Sequence, residues 1–503
     1  MNYDAVFIGS GLGALVCGAT LARSGKKVLV IEQHNKIGGF ATNFKRKDYT
    51  FDVSLHNMGP IKELFLMSKI FDDLGLKSKV NFIEFDSFQR LIFPEHDYTI
   101  TKGFNKFEDY LIDNFPEEKE GVTSLFDIMK SLRKEFDEIE SLNILLEQLE
   151  DVYPMLPIKF PYLVSLVYKT FEELLSEHIT NSKLKGLISN LWWFYGLPPS
   201  KVASILYIVP TVCYYNFGGG NISGTSQSLS DALGSIIKSN GGDIITGTKV
   251  NKIIIEEMTA KGVITNDGRT ISAKTVVSNA NAKQTFEELI DENILPGKIL
   301  KKISRLTNSI SALQLYLGIN ADLSKTELSK HNLTIFTDYD HENNYNNALN
   351  GDYENGFLSI TNYSAFDKTA APAGKTVISA LTLDSINNWN NLTKEEYLQK
   401  KQSVTDTIIK RIEIFAPGIS SKIEVSELAT PLTMKRYTSF PEGVIYGFEQ
   451  NVDQSGINRF KPETPVKNLY SVGSSIYPGA GYPSVITSGY QVGQLIDRHI
   501  NSL

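Results

Sequence analysis

Three small residues near the start of the chain have the spacing of a pyrophosphate-binding loop. Gly9, Gly11 and Ala14 follow the apolar run DAVFI at 4–8 and open a stretch of helical spacing that stops at Gly25. Gly9 permits a sharp turn, Gly11 lets the backbone approach a phosphate, and Ala14 lets helix and strand pack closely. Unpaired N–H groups at the helix N-terminus would face the anion. The pattern predicts a strand, a turn and a helix that bind a dinucleotide through Gly9, Gly11, Leu12, Gly13 and Ala14.

A carboxylate stands at the end of the next apolar strand, KKVLVIE at 26–32. Glu32 comes 18 residues after Ala14, where a carboxylate can accept hydrogen bonds from both ribose hydroxyls of a dinucleotide. The alternative, a glycine-softened turn without a ligand, explains neither the second strand nor the distal acid. We therefore predict cofactor contacts from Glu32 and its neighbour Gln33.

A glycine pair follows Glu32 in the stretch QHNKIGGFATNF at 33–44. This arrangement resembles the extended fingerprint of FAD-binding flavoproteins with two dinucleotide-binding domains. In that fingerprint the pair lets the loop pass close to the phosphates and the ribitol. The alternative is an ordinary glycine turn between Lys36 and Phe40. The resemblance implies FAD as the cofactor, bound in part by Gly38 and Gly39.

The C-terminal stretch 468–500 repeats the order of strand, glycine loop and helix. The short apolar strand LYSV leads to Gly473, a loop of glycines and prolines follows, and a helix is predicted to begin near Val485. Amides at that helix N-terminus could face the N1 and C2 carbonyl edge of a flavin; the alternative is a turn-rich loop without a ligand. We predict that both ends of the chain meet on one cofactor. The contacts predicted here are Gly473, Gly481, Pro483, Val485 and, from the centre of the chain, Val250.

Four segments resemble, in family order, the carotenoid and retinoid FAD-dependent oxidoreductases: phytoene desaturases, carotenoid cis–trans isomerases and retinol saturase relatives. They are a glycine-rich entry to a helix at 216–257, a return strand with a Ser-Asn-Ala turn at 269–289, and the stretches 434–450 and 468–490. EQHNKIGGF and FDVSLHNMG are similar to the retinol saturase branch, whereas PGAGYPSVITSG is similar to the desaturases. The resemblance implies desaturation, saturation or flavin-dependent cis–trans isomerisation of a polyene or isoprenoid lipid, and leaves the choice among the three open.

The predicted fold is α/β, with a Rossmann-like FAD-binding domain and an inserted α+β substrate domain. The FAD-binding domain would gather residues 1–85, 218–300 and 425–503, and a substrate-binding, membrane-facing domain would gather 86–217 and 301–424. Asn266-Asp267-Gly268 predicts a turn between two alternating apolar strands. The stretch 124–150 predicts an amphipathic helix or pair of helices with a solvated charged face, and the asparagine-rich stretch 338–356 predicts a polar surface loop.

Aromatic residues and prolines are dense at 153–171 and 191–217. Much of this surface would be costly to expose to water. It forms either core or an apolar tunnel or membrane-facing rim, and the resemblance implies a hydrophobic small-molecule substrate. The longest apolar run, 202–217, is too short to span a bilayer and contains Pro210.

His56 is the candidate catalytic side chain, because it follows the strand YTFDVSL and could approach a flavin or a substrate as a donor or base. A lone histidine is more often structural. Arg90 could pair with a polar substrate end, although a surface salt bridge is the more common role. The sequence has no nucleophile elbow, no HExxH and no paired-cysteine site, so the chemistry would be that of the flavin and no metal is predicted.

The amino-acid composition limits which partners and which cellular compartment we expect for the protein. The 50 Lys and Arg against 57 Asp and Glu give a formal net charge of −7, which argues against a nucleic-acid partner. Two cysteines and an N-terminus without a basic region predict a cytoplasmic protein, with peripheral membrane contact as an option. The cluster 218–220 lacks the spacing of a second nucleotide fingerprint, so electrons would be exchanged with an external quinone, oxygen or reductase.

Two other classes of function stay open at this level. An amine-oxidase-like flavoenzyme of similar fold would need an aromatic cage for an amine near the flavin. A non-catalytic prenyl-lipid-binding protein of the same architecture would show a decayed fingerprint, whereas Gly9, Gly11 and Glu32 are intact.

Overall fold

A strand, a glycine loop and a helix open the chain, as the spacing predicts. The computed structural model describes residues 3–59, 61, 64–141, 155–291, 293–330 and 332–502. The first half of the strands comprises β1 (Tyr3–Ile8), β2 (Val28–Ile31), β3 (Asn43–Arg46), β4 (Tyr49–Asp52), β5 (Phe82–Glu84), β6 (Ser87–Ile92), β7 (Asp97–Thr101), β8 (Gly220–Ile222) and β9 (Asp243–Ile245). The second half comprises β10 (Val250–Glu256), β11 (Thr259–Thr265), β12 (Thr270–Ser278), β13 (Ser311–Ile319), β14 (Asn332–Ile335), β15 (Leu358–Asn362), β16 (Thr376–Asp384), β17 (Ile423–Ala429) and β18 (Leu469–Ser471).

Helices separate and cover these strands. The N-terminal ones are α1 (Leu12–Arg23), α2 (Phe65–Asp73), α3 (Phe104–Asn114), α4 (Lys119–Ser141), α5 (Leu156–Lys159), α6 (Pro161–Leu166), α7 (Phe171–His178), α8 (Ser182–Ile188) and α9 (Ser204–Phe217). The remaining ones are α10 (Gln227–Ser239), α11 (Gly297–Ser304), α12 (His341–Asn350), α13 (Lys394–Glu413), α14 (Pro431–Thr438) and α15 (Tyr482–Ser502).

One sheet gathers strands from three distant parts of the chain. Its order is β10-β11-β12-β1-β2-β9, with β18 also paired to β12. The strands β9, β2, β1, β12 and β18 run parallel, and β10 and β11 extend the sheet as an antiparallel hairpin. The predicted turn at 266–268 connects β11 to β12. All these strands lie within the segments predicted for the FAD-binding domain.

This sheet is buried on both faces, which explains its continuous apolar strands. Phe7 packs with Leu15, Leu233 and Ile496 under α1, α10 and α15. Its neighbour Val6 points to the opposite face and joins a second apolar cluster. Neighbouring residues of one strand therefore serve two cores, and the loops at the strand ends have little freedom.

A second, mainly antiparallel sheet has the order β17-β13-β16-β15-β14-β6-β7. Helices α3, α4 and α7–α9 add a large aromatic core beside it, which includes Trp192, Tyr207 and Tyr215. Strand β17 pairs with β13, although most of it lies beyond the predicted boundary at residue 425. The domain boundaries stay a prediction.

Two segments for which the sequence predicts solvent-facing surface contain helices. Residues 338–356 contain the helix α12, so the prediction of a loop was wrong. The Asp340 carboxylate caps this helix by accepting from the N–H of Glu342 and Asn343, and Tyr345 and Ala348 bury one face. Their helical spacing was hidden by the surrounding asparagines. The predicted helix at 124–150 corresponds to α4 as far as residue 141; residues 142–150 lie outside the described residues.

Across the described ranges, no helix has the length and apolar composition needed to cross a bilayer. Helix α9, which contains most of the long apolar run, has Pro210 in its interior.

Candidate active site

The glycine loops from the two ends of the chain touch each other. Gly9 has a φ of +86° and Gly473 a φ of +91°, both in the region that favours glycine. A Cβ at Gly13 would lie 2.9 Å from the backbone of Gly473. The extremities of the polypeptide therefore meet, as the sequence predicts.

Close helix packing holds this meeting point. A Cβ at Gly489 of α15 would lie only 2.5 Å from the carbonyl oxygen of Gly13 in α1. Ala14 is fully buried behind the loop, where it packs in the core as expected for a small residue at that position. The N-termini of α1 and α15 consequently open toward the same space.

The glycine pair lies directly on the first loop. The N–H of Gly38 donates to the carbonyl of Ser10 over 3.0 Å, and Gly38 forms a bridge with Gly11. Gly38 has a φ of +119° and Gly39 a φ of +61°. The pair is thus a turn, and it also adds a third glycine-lined edge to the same space.

Glu32 is buried and holds the loop together. One carboxylate oxygen accepts from the N–H and hydroxyl of Ser10 over 2.9 and 2.5 Å, and the other accepts from the N–H of His34 over 2.8 Å. A carboxylate has about four lone-pair sites. One site is left for a ligand hydroxyl, so a ribose contact is compatible with this geometry.

The last helix begins earlier than predicted. Helix α15 starts at Tyr482, and the N–H of Val485 already donates to the carbonyl of Gly481 over 3.0 Å. The sequence prediction of a start near Val485 treated Pro483 as part of the loop. Proline is tolerated in the first turn of a helix, because the N–H that it lacks has no intrahelical partner there.

Asn279 is a residue of this site that the sequence analysis missed. Its side chain lies between the two glycine loops, 2.5 Å from a Cβ placed on Gly11 and 2.7 Å from one placed on Gly473. Its Oδ1 is buried and has no hydrogen-bond partner among the described residues. The Ser-Asn-Ala turn after β12 was the available signal. Because Oδ1 is an acceptor, it is available to a donor group of a ligand, whereas the backbone N–H groups of the glycine loops are the donors expected around a dinucleotide phosphate.

Arg459 supports the C-terminal loop from behind and was also missed. Its guanidinium donates to the carbonyls of Ser474 over 2.9 Å and Phe448 over 3.2 Å. Burial lowers the pKa of Arg459 to about 10. A buried cation that binds loop carbonyls fixes the backbone between Gly473 and Gly481.

One cavity, with a volume of about 730 Å³, connects these loops to an apolar wall. Its nucleotide end is lined by the predicted contacts Gly9, Gly11, Leu12, Gly13, Glu32, Gln33, Gly38, Gly39, Val250, Gly473, Gly481, Pro483 and Val485. Its apolar end is lined by residues of α4, α5, α6 and α9 and by the aromatic side chains Phe160, Trp193, Phe194, Tyr195, Tyr214 and Tyr446. The aromatic segment 191–217 therefore supplies both core and cavity wall.

His56 lines the same cavity. Thr361 Oγ1 donates to Asn332 and Tyr363 Oη donates to the carbonyl of Leu55, so both hydroxyl protons are engaged. Nδ1 of His56, 3.2 Å from each hydroxyl, must then be the donor, which leaves the lone pair on Nε2. Nε2 is buried and has no partner in the described part of the chain. Burial lowers the pKa of His56 to about 4, so the ring is neutral near pH 7.

Arg90, the candidate partner for a polar end of the substrate, is engaged in ion pairs at the surface. Its guanidinium pairs on the surface with Asp97 over 2.5 Å and with Glu327 over 3.0 Å. The surface salt bridge, which the sequence analysis gave as the more common role, is what the structure has.

Residues 15–496 match the family described as flavin containing amine oxidoreductase. The chain belongs to that family. The predicted flavin cofactor is thereby confirmed, and the glycine loops, the buried Glu32 and Asn279 fit a dinucleotide form of it. Because this is a family of oxidoreductases, the prediction that the chain is an enzyme is also confirmed.

Curated relatives confirm the predicted resemblance to carotenoid and retinoid oxidoreductases. The chain is 28% identical over 505 residues to a chloroplastic prolycopene isomerase of Daucus carota, covering 97% of this chain and 79% of the relative. It is 25% identical over 535 residues to all-trans-retinol 13,14-reductase of Danio rerio, with 98% and 86% covered. It is 24% identical over 516 residues to a 4,4'-diapophytoene desaturase of Methylomonas sp, with 98% and 95% covered.

Solved structures share the fold. An oxidoreductase from Methanosarcina mazei superposes with a TM-score of 0.65 at 19% identity and covers 97% of this chain and 99% of its own. Putrescine oxidase bound to putrescine gives a TM-score of 0.64 at 12% identity, with both chains fully covered. The predicted fold class, a Rossmann-like flavin domain with a substrate domain, is confirmed.

Proposed function

We propose that this flavoenzyme binds FAD and transforms a polyene or isoprenoid lipid. The observation that carries the proposal is a continuous cavity that joins a glycine-lined dinucleotide cradle to a long aromatic and aliphatic wall. Relatives named for prolycopene, retinol and diapophytoene support the same substrate class. A polar substrate would leave most of that wall without complementary contacts.

The cofactor contacts are assigned by position. The amides of the first and last glycine loops would bind the pyrophosphate, Glu32 would accept from a ribose hydroxyl, and the N-terminus of α15 would hold the flavin ring. Val250 and Gln33 line the nucleotide end. A bound flavin supplies hydride transfer, and the chain supplies position and exclusion of water.

His56 is proposed as a neutral acceptor beside the reacting atoms. Its Nδ1 is tied to Thr361 and Tyr363, which fixes the ring and leaves Nε2 able to accept a hydrogen bond or a proton. His56→Asn should lower turnover without loss of bound flavin. Equal turnover in the two proteins would reduce His56 to a structural role.

The reaction is tested with the holoenzyme under anaerobic conditions. Prolycopene, all-trans-retinol and 4,4'-diapophytoene are incubated separately with oxidised and with reduced enzyme, and product mass and retention are measured. Loss of two hydrogens identifies a desaturase, gain identifies a saturase, and unchanged mass with altered retention identifies an isomerase. Turnover of putrescine with none of the polyenes would overturn the proposal in favour of an amine oxidase.

We also propose that the cavity opens toward a membrane surface at α5 and α6. Leu156, Phe160, Leu163 and Val167 line the cavity. Other apolar side chains of the same segment face outward, among them Ile158 at 86% and Tyr168 at 69% exposure. A segment that is apolar on both faces suits a lipid surface, because each face then avoids water. The bilayer is also where a water-insoluble substrate is found.

Vesicle binding tests this docking surface. Wild-type protein should sediment with phosphatidylcholine vesicles that contain phosphatidylglycerol, and Ile158→Glu with Tyr168→Glu should sediment about tenfold less. Ile414→Glu, at an isoleucine with 69% exposure on another surface, is the matched control and should bind as wild type. Equal binding by all three proteins, or none by wild type, would reject the surface.

The electron partner and the compartment stay predictions. We propose an external partner of the quinone, oxygen or reductase type and a cytoplasmic or membrane-peripheral location. Reoxidation of the reduced holoenzyme with oxygen or a soluble quinone in a stopped-flow instrument tests the first of these.

A further inference from the structure

The apolar end of the cavity contains two charged side chains. Helix α4 places Arg133 and Glu140 on the wall beside Phe136 and Ile139. Among the described lining residues of α4, α5, α6 and α9, these two are the only charged ones. Charges in such a wall are costly unless they have partners.

The two side chains form a partly buried ion pair. The side chain of Arg133 is 9% exposed and that of Glu140 is 30% exposed, and Arg133 Nη2 lies 3.4 Å from Glu140 Oε2. The same nitrogen also bonds Asp137, whose carboxylate is largely solvated. Burial raises the pKa of Glu140. Both ion pairs use one nitrogen of the guanidinium, and among the described residues no acceptor is recorded for its other N–H groups.

Stability alone does not explain this pair. A buried ion pair can commonly be replaced by apolar side chains of similar volume at no cost in stability. Here such side chains would also complete the apolar wall. The pair is therefore better explained by something that enters the cavity.

We propose that Arg133 and Glu140 form a polar subsite that binds the terminal hydroxyl group of the lipid substrate. This proposal rests on the proposed function, since it takes the cavity to be the lipid site. A hydroxyl can donate to the Glu140 carboxylate and accept from the Arg133 guanidinium at once. The subsite would fix one end of the chain and so select which carbon–carbon bond lies at the flavin.

Other end groups fit less well. A carboxylate would meet two acidic side chains, Asp137 and Glu140, around one arginine. A hydrocarbon end would cover the pair and return no hydrogen bond. The substrate class that follows is an isoprenoid or polyene alcohol.

Two probes that differ only at the hydroxyl test the subsite. Geranylgeraniol and its methyl ether are titrated into the holoenzyme, and binding is followed by tryptophan fluorescence, because Trp193 lines the cavity. Both probes lack conjugated polyene absorption. Wild type should bind the alcohol about tenfold more tightly than the ether.

Variants assign this preference to residues. Arg133→Met with Glu140→Leu removes both charges and should bind the two probes equally. Glu140→Gln, a smaller change that keeps the shape of the side chain, should reduce the preference to about threefold and serves if the double variant does not fold. Lys130→Met is the control on the same helix, since Lys130 pairs with Glu108 away from the cavity.

The outcomes separate this proposal from the one on which it rests. Equal binding of the two probes by wild type, or an undiminished preference in folded Arg133 and Glu140 variants, overturns the subsite and leaves the lipid cavity standing. Failure of both probes to bind wild type rejects the lipid cavity and the subsite together.

Discussion

The two ends of the cavity are built from different parts of the polypeptide. At the nucleotide end, backbone groups and glycines form the surface, and the contacts are so close that a Cβ at Gly11 or Gly13 would overlap its neighbours. At the apolar end, side chains such as Trp193 and Val209 form the surface, and the helices behind them carry exposed apolar residues. The backbone therefore fixes the shape of the nucleotide end, which suits a single kind of cofactor. The second end can change its volume by substitution without altering the backbone.

Glu32→Ala should have the largest effect, because it acts on the backbone-built end. The substitution leaves the N–H and hydroxyl of Ser10 and the N–H of His34 without their acceptor. Each buried unsatisfied donor costs about 1–3 kcal/mol, so FAD affinity should fall at least about a hundredfold. The ratio of flavin to protein absorbance after desalting measures this loss.

The control is Glu427→Ala, which removes an exposed carboxylate that pairs with Arg46. It should retain flavin as wild type does. An undiminished yellow colour in purified Glu32→Ala would contradict the role given to this carboxylate.

Gly13→Ala should have the next largest effect. The new Cβ would lie 2.9 Å from backbone atoms of Gly473, and neither loop can move without disturbing the other. Overpacking of this kind costs about 1–3 kcal/mol, and if the whole cost falls on the bound state the FAD affinity should drop about five- to 150-fold. Gly297→Ala is the matched control, because a Cβ there meets nothing within 4 Å. Equal flavin affinity in the two variants would show that the loops are not closely fitted.

The difference between the two ends also explains what the sequence could predict. Loops made of backbone depend on local residue types, so the sequence could point to Gly9, Gly11, Gly38 and Gly473, which line one cavity in the structure. The signals that were missed depend on contacts between distant residues. Asn279 follows β12, the strand beside β1, and reaches Gly11 although the two residues are 268 positions apart in the chain.

For the apolar end, the sequence could predict only that the segments are rich in aromatic and apolar residues, not which of those residues line the cavity. The dense aromatic segments predict apolar surface, but core and cavity wall alternate within them: Trp192 is core and Trp193 is wall. The pair Arg133 and Glu140 lies in a stretch that predicts a solvated charged face. The prediction of a loop in place of helix α12 was wrong for a similar reason, because the burial of Tyr345 depends on contact with Trp192 and its neighbours.

A pH-dependent prediction concerns the core behind the apolar end. His341 lies behind the apolar end, 5.7 Å from Trp192 between ring centroids, and its Nε2 donates to the carbonyl of Gly186. Burial lowers the pKa of His341 from 6.5 to about 4. The unfolded chain therefore takes up a proton before the folded one, and stability is lost as the pH falls from about 6.5 toward 4.

The size of this loss follows from the two pKa values. When the pH is lowered from 7.5 to 5.5, protonation of His341 in the unfolded chain should reduce the free energy of unfolding by about 1.4 kcal/mol. His341→Phe removes the titrating group and keeps a ring, so its thermal midpoint should fall less over this interval than that of wild type. His56 and Asp52 titrate in both proteins and cancel in the comparison. Parallel curves for wild type and variant would show that the ring is already accessible to protons.

Val209→Ala should have the smallest effect on stability and is the sharpest test of the open wall. Val209 and Val212 lie on the same helix α9, but Val209 lines the cavity and is only partly buried against the aromatic core, whereas Val212 is fully buried in that core. Methyl groups that face a cavity have few neighbours to lose, so Val209→Ala should cost less than about 1 kcal/mol, and Val212→Ala about 2 kcal/mol. Thermal unfolding of the two variants measures the difference. Because the first substitution widens the cavity, it should also change geranylgeraniol affinity, while the second should not. Equal destabilisation by the two substitutions would mean that Val209 is close-packed, and the apolar end would then be as tightly fitted as the nucleotide end.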